Sequence, residues 1–122
     1  MMKDSALYQF WASFGWDAYD ELSIPDEVPL PYITYESATD TFDNVLTLSG
    51  TLWYRSESWA EIEAKAQEIS NAINPGFWKI PCDGGYLWIT PGSPFARRLT
   101  EPTDKTIRRI AIMINAEFLT AK

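Results

Sequence analysis

The chain has 122 residues, of which 46% are apolar, with one cysteine and no histidine. This length suits one domain with one core, and the apolar fraction argues against disorder. No apolar run is long enough to predict a transmembrane helix. A single cysteine excludes an internal disulfide, and the absence of histidine excludes imidazole-based catalytic triads and ordinary zinc sites.

The net charge of −7 is unevenly divided along the chain. Residues 1–61 hold 11 acids and 2 bases, whereas residues 62–122 hold 6 acids and 8 bases. Nucleic-acid binding requires clustered basic residues, and the overall acidic balance argues against it. A chain whose two halves differ in sign suits head-to-tail contacts between copies, but two solvated faces explain the same pattern equally well.

The first predicted element is a helix from about Asp4 to Phe14, ended by Gly15. One apolar stripe supports it, formed by Leu7, Phe10, Trp11 and Phe14. Residues 16–31 follow as an irregular arm, since prolines lack an amide donor and fix φ. The arm carries five acids, Asp17, Asp20, Glu21, Asp26 and Glu27. They do not follow the ligand register of a calcium loop, so we predict a solvated or partner-contacting segment without a metal site.

Two strands and a second helix are predicted next. Tyr32–Glu36 and Val45–Arg55 alternate in polarity, and the short polar connection between them favours an antiparallel hairpin. A helix is predicted from Trp59 to Asn74, where Ser58 and Glu61 have the spacing of a capping box. Its apolar stripe consists of Trp59, Ile62, Ala66, Ile69 and Ile73. Because only one side is apolar, this helix should lie on the sheet.

The last third of the sequence is predicted to form a hairpin, a loop and a long strand. Phe77–Cys82 and Tyr86–Thr90 flank a tight Asp-Gly-Gly turn. Pro91–Thr106 contains three prolines and shows no period, so we predict a long loop. Ile107–Leu119 is predicted as a strand. Together these elements predict an α+β fold, in which two helices pack on one face of a mostly antiparallel sheet of about four to five strands.

Catalytic motifs are not apparent in this sequence. Gly84-Gly85 is not followed by a helix and is no phosphate loop, and the acids fall in loops, at caps or on helix surfaces, where burial would not raise a carboxyl pKa for acid catalysis. We therefore expect no enzyme, no cofactor and no metal. A carbohydrate-binding module stays an alternative because exposed tryptophans stack on sugars, although at least two of Trp11, Trp53, Trp59 and Trp88 are better explained as core.

Two basic pairs, Arg97-Arg98 and Arg108-Arg109, flank the acidic segment "TEPTD". Arginine forms bidentate pairs with carboxylates, so the pairs predict a contact with an acidic partner surface. Solubility alone is an equally good explanation.

Four segments, "LPYITYE", "WYRSESW", "GSPFARR" and "IRRIAIMINAEFLT", carry a resemblance over nearly the whole chain. The chain resembles the small tail-terminator (tail-completion) proteins of long-tailed phages and prophages of Gram-positive bacteria. A neighbouring neck component, such as a stopper or head-tail joining protein, stays open, since these are small α+β ring-formers too.

The resemblance implies structural work. Such proteins form a ring, usually a hexamer, which caps the head-proximal end of the tail tube, stops its polymerisation and joins it to the head connector. The implied partners are copies of the chain, the tube protein and a connector or stopper protein. DNA would only pass through the lumen, and no membrane is involved. The implied location is the virion, after assembly in the host cytoplasm.

The expected contact residues lie in the arm and in the two basic pairs with their preceding loop. They are Asp17, Asp20, Glu21, Asp26, Glu27, Pro29, Pro31, Phe95, Arg97, Arg98, Arg108 and Arg109.

Overall fold

The structure, a computed structural model, describes residues 3–37, 45–73, 78–100 and 103–120. Within these ranges the chain forms two helices, α1 (Lys3–Ala12) and α2 (Ala60–Ile73). The strands of the same ranges are β1 (Asp17–Asp20), β2 (Tyr32–Tyr35), β3 (Leu46–Arg55), β4 (Trp78–Cys82), β5 (Gly85–Leu99) and β6 (Ile107–Thr120). Some predicted features lie outside the described residues. They are residues 38–44 of the polar connection, the helix end at Asn74, and Phe77 at the start of a predicted strand.

The described strands form one sheet in the order β1-β2-β3-β6-β5-β4. All neighbouring pairs are antiparallel except β1 and β2, which are parallel. The prediction of an α+β fold with a mostly antiparallel sheet is confirmed, as is the β2–β3 hairpin pairing. The predicted count of four to five strands is wrong, because the sheet has six.

One reason for the higher count is that the predicted arm, residues 16–31, is not wholly irregular. Asp17–Asp20 pairs with β2 as a short strand, and Ala18 lies opposite Ile33. Both residues are buried, at 6% and 0% exposure, so two aspartates with low strand propensity are outweighed by tertiary packing. The remainder of the arm, residues 21–31, lies outside the helices and strands, as predicted.

The predicted loop at residues 91–106 is also wrong over its first half, because β5 continues to Leu99. Its pairing with β6 shifts register between Pro91, which pairs with Ile114, and Ala96, so a bulge takes up Pro94 and pairing then resumes. Gly92 lies so close to β6 that a Cβ there would stand 2.8 Å from the Cβ of Met113. The missing side chain is what lets the bulged strand approach its neighbour.

The helix ends follow local rules, with one departure. Gly15 adopts φ 87°, the left-handed conformation that glycine allows after a helix. At the start of α2, Ser58 Oγ accepts the amide N–H of Ala60 at 3.0 Å. The reciprocal half of the predicted capping box does not form, because the carboxylate of Glu61 accepts instead from Ser56 Oγ at 3.3 Å.

The core lies between the two helices and one face of the sheet, here called the inner face. All four residues of the predicted α1 stripe are buried, and so are Ile62, Ala66, Ile69 and Ile73 of α2. They form one cluster with alternate strand residues, Ile33, Tyr35, Leu48, Leu52, Leu87, Ile89, Ile110, Ile112, Ile114 and Ala116. The predicted packing of both helices on one face is thereby observed. None of the helices in the described part of the chain is long and apolar enough to cross a membrane.

Candidate interaction surface

A row of stacked side chains crosses the outer face of the sheet, opposite the helices. Tyr19 on β1 meets Tyr32 on β2 edge-on, with ring centroids 6.0 Å apart. Tyr32 stacks on Trp53 of β3 at 5.6 Å, and the guanidinium of Arg109 on β6 lies 4.9 Å from the Trp53 ring centroid. Four neighbouring strands thus contribute one residue each. The sequence alone could not place these residues together, because the row depends on strand order and register.

Trp53 is held in a fixed orientation within this row. Its indole N–H donates to Thr34 Oγ1 at 3.0 Å, and the Arg109 guanidinium also donates to the Thr100 carbonyl. Tyr32 and Arg109 belong to the strands on either side of β3, so both flanks of Trp53 are covered. A sugar needs an open ring face for stacking, and the carbohydrate-binding alternative therefore gains nothing from Trp53.

The two predicted basic pairs are each divided between the faces of the sheet, because successive strand residues point to opposite sides. Arg98 lies opposite the buried Ile110, which places it on the inner face with Arg108. Arg97 and Arg109 lie on the outer face. The four arginines therefore do not form one basic cluster.

The inner-face arginines hold the start of α2 against the sheet. The guanidinium carbons of Arg98 and Arg108 lie 4.5 and 5.1 Å from the centroid of Trp59. Arg98 Nε also donates to the Glu63 carboxylate at 2.7 Å, and Arg108 Nη2 donates to the Glu57 carbonyl at 2.7 Å. Both side chains therefore have roles within the chain itself, which the sequence pattern did not reveal.

Arg97 differs from the other three arginines. It is exposed on the outer face of β5, opposite Ala111, and its side chain makes no hydrogen bond or ion pair with the residues that the structure describes. All N–H donors of its guanidinium are therefore available to a partner.

The predicted acids are dispersed along the arm. Asp17 is exposed on β1, and Asp26 and Glu27 are exposed further along. The carboxylate of Asp20 accepts from Ser37 Oγ and from the Leu22 amide, and these two bonds lower its pKa. Among the described residues no group of three acids or cysteines is placed to hold a metal ion.

Glu21, next to Asp20, shifts in the opposite direction. Although Glu21 is exposed, slight loss of solvent around its carboxyl raises the pKa of that group, and the neighbouring charges of Glu36 and Asp20 raise it further. Like charges close together disfavour ionisation of all of them. This part of the arm thus concentrates negative charge that a cationic partner would relieve.

The prolines and Phe95 occupy different surroundings. Pro29 is exposed, whereas Pro31 is half-buried and follows a cis peptide bond from Leu30. Phe95 is half-buried and packs against the core cluster. Of these three predicted contact residues, Pro29 is the most accessible.

A groove of about 490 Å³ opens where the base of the arm meets the sheet. Its lining consists of Val28, Pro29, Leu30, Tyr32, Trp53, Arg55 and Ile107. A second groove of about 340 Å³ is lined by Trp59, Leu99, Thr100, Lys105, Ile107 and Arg108. Ile107 lines both grooves, so they meet at the start of β6, the first beside the outer-face residue Trp53 and the second beside the inner-face residue Arg108, and we call them together the Ile107 furrow. Every charged residue in the lining is basic.

A structured turn sets the rim of this furrow. The Asp104 carboxylate accepts from the Thr106 amide at 2.8 Å, from Thr106 Oγ1 at 2.7 Å and from Arg55 Nη1 at 3.0 Å. These bonds, those from Thr106 first, lower the pKa of Asp104 to about 2. Asp104 therefore stays ionised well into the acid range, and the turn presents Lys105 to solvent.

No protein-family model matches the chain, and no curated protein matches it either. The chain is similar in structure to a subunit from the virion of a native gene transfer agent particle, with a TM-score of 0.54 and 20% sequence identity. The likeness covers 95% of this chain and 93% of that one. At this identity it shows a shared fold.

Proposed function

We propose that the chain is a structural protein of a phage-like virion. The observation that carries the proposal is the likeness in fold to a subunit of the gene transfer agent virion, which spans nearly the full length of both chains. A fold by itself hosts many functions, so the virion role is an inference from this one neighbour.

More specifically, we propose a tail terminator, a sixfold ring that caps the head-proximal end of the tail tube, ends its polymerisation and joins it to the head connector. The resemblance of "LPYITYE", "GSPFARR" and "IRRIAIMINAEFLT" to tail-terminator proteins supports this role. The division of charge between the two halves of the chain also supports it, because a closed ring joins unlike surfaces.

The exposed residues of the predicted set are the proposed contacts with neighbouring subunits, the tube or the connector. They are Asp17, Glu21, Asp26, Glu27, Pro29 and Arg97; Arg98 is exposed as well but is engaged by Glu63 and Trp59 of its own chain. Charged groups at such positions set the orientation and rate of association more than its affinity.

Electron microscopy of particles made without this protein tests the role. A terminator is expected to leave overlong tubes or finished tails that fail to join heads. Tails of normal length that join heads normally would contradict the proposal.

A stopper or head-tail joining protein is the second candidate, and the same fold likeness supports it. The same micrographs separate the two, since loss of a stopper is expected to leave normal tails beside heads that leak DNA.

A further inference from the structure

The middle of the arm is an exposed segment, residues 22–27, that we call the arm tip. Leu22 is 89% exposed and Ile24 is 39% exposed, and Asp26 and Glu27 follow directly. Single exposed apolar residues are ordinary, but two of them beside two acids on one exposed segment form a small amphipathic surface.

The Ile107 furrow has the complementary chemistry. Trp53, Trp59 and Ile107 provide its apolar lining, and Arg55, Lys105 and Arg108 provide its charge. Lys105 is exposed and makes no ion pair with the described residues. Arg55 is bridged to Asp104, but its side chain is still 57% exposed.

We propose that the arm tip of one copy docks into the Ile107 furrow of a second copy, with Leu22 and Ile24 on the apolar lining and Asp26 and Glu27 beside Lys105. The proposal rests on the self-assembly part of the proposed function and names the surfaces that carry it. The two surfaces are different, so the contact is head-to-tail, and repeating it gives a ring or an open filament.

The furrow does not receive the arm tip of its own copy. Val28, Pro29 and Leu30, at the base of the arm, line one end of the furrow, whereas residues 22–27 line neither groove and stay exposed. The occupant is therefore expected to come from another molecule.

Zero-length carbodiimide cross-linking tests the contact directly, because this reagent joins a lysine amine to a carboxylate in contact with it. An equal mixture of unlabelled and ¹⁵N-labelled protein is cross-linked and digested. We expect peptides joining Lys105 to Asp26 or Glu27, half of them of mixed isotope. Cross-links confined to one copy, or from the arm tip only to Lys65 or Lys79, would overturn the proposal.

Two variants test the head-to-tail geometry. The arm variant is Leu22→Ser with Ile24→Ser, and the furrow variant is Lys105→Glu; these side chains are exposed, so folding should be unaffected. The arm variant keeps every lysine and acid, and alone it is expected to lose the mixed-isotope cross-link. The furrow variant lacks the reacting amine, so its self-association is measured by light scattering, where only monomer is expected. A mixture of the two leaves one intact arm tip and one intact furrow per pair, so cross-linked species should stop at the dimer, whereas the unaltered protein continues to larger species.

The outcomes separate this inference from the proposed function. If tails terminate normally without the protein but the mixed cross-link forms, the contact stands and the terminator role fails. If rings form in both variants, the terminator role stands and this contact is wrong.

Discussion

The ring of Trp11 occupies the space that a side chain at position 50 would need. A Cβ on Gly50 would lie 2.5 Å from Cη2 of Trp11 and under 3 Å from two further ring atoms. Trp11 is fully buried, so helix α1 meets the central strand β3 through an aromatic ring laid on bare backbone. The largest side chain of the core, Trp11, therefore fits because position 50 of the facing strand carries no side chain.

Gly50→Ala is expected to lower the free energy of unfolding by roughly 1–3 kcal/mol, because a close-packed core cannot absorb an added methyl without moving the ring or the strand. Chemical denaturation monitored by tryptophan fluorescence measures the change. Thr51→Ala, one residue along on the outer face, is the matched control and should change stability much less.

A smaller ring should restore the fit. In Trp11→Phe the extra space lies where the Gly50→Ala methyl points, so the double variant should lose less stability than the two single losses added together. The indole N–H of Trp11 meets no acceptor among the described residues, so the change to Phe sacrifices no hydrogen bond there. Strict additivity in the double-mutant cycle would show that the two positions do not share this space.

Gly92→Ala should loosen the far half of β5 rather than the whole core. The new Cβ would lie 2.8 Å from the Met113 carbonyl oxygen, which belongs to the backbone of β6 and cannot rotate away. We expect faster amide hydrogen exchange at Ala96–Leu99, and little change at Leu87 and Ile89, which pair beyond the bulge. Equal acceleration in both regions would argue that the bulge is not a local boundary.

The two arginines of the 97–98 pair should respond differently to charge reversal. Arg98→Glu removes the Glu63 ion pair and the contact with Trp59, and it should cost about 1 kcal/mol of stability, since both side chains are about half exposed. Arg97→Glu should leave the melting temperature unchanged. If Arg97→Glu nevertheless reduces head-tail joining, Arg97 contacts a partner; normal joining would remove it from the proposed set.

The charge swap Arg98→Glu with Glu63→Arg serves as the control for this pair. It should recover part of the stability lost in Arg98→Glu alone, because the ion pair is rebuilt with its partners exchanged. No recovery would assign the loss to the Trp59 contact instead.

The stability contributed by the Asp104 turn should depend on pH in the acid range. The pKa of Asp104 is lowered in the folded chain to about 2 from its usual 3.8. The contribution is therefore fully present above the unfolded value and is lost as pH falls toward about 2. An NMR titration of the carboxyl carbons should show the low value, and Thr106→Val should raise it by removing the hydroxyl donor. An unchanged pKa in that variant would assign the shift to the Thr106 amide and Arg55.

The elements that the sequence predicted well are those with a strong local period. The stripe of Leu7, Phe10 and Trp11 and the alternation of Ile110 and Ile112 both reflect one-sided burial, which shows directly in the spacing of apolar residues. Strand β1 was not predicted because its two aspartates do not produce such a period. Its formation also depends on pairing with β2, which begins after eleven intervening residues.

The candidate surface was harder to predict than the fold. The exposed acids of the arm and Arg97 were proposed as contacts from charge alone and stay a prediction, whereas the role of Arg98 and Arg108 at Trp59 depends on which strand face each residue occupies. Lys105 and Ile107 were not predicted as site residues at all, because the furrow forms only when β6 starts beside β3 and the arm.

The extension of β5 past its bulge has a consequence for solubility. β4 pairs only with Gly85–Ile89, so Ala96–Leu99 has β6 on one side and no described strand on the other. An unpaired strand offers free amides and carbonyls on which other chains can form cross-β aggregates. Two adjacent positive charges, Arg97 and Arg98, occupy that stretch, and charges there discourage uncontrolled pairing. We therefore expect these two arginines also to reduce aggregation through this unpaired strand edge.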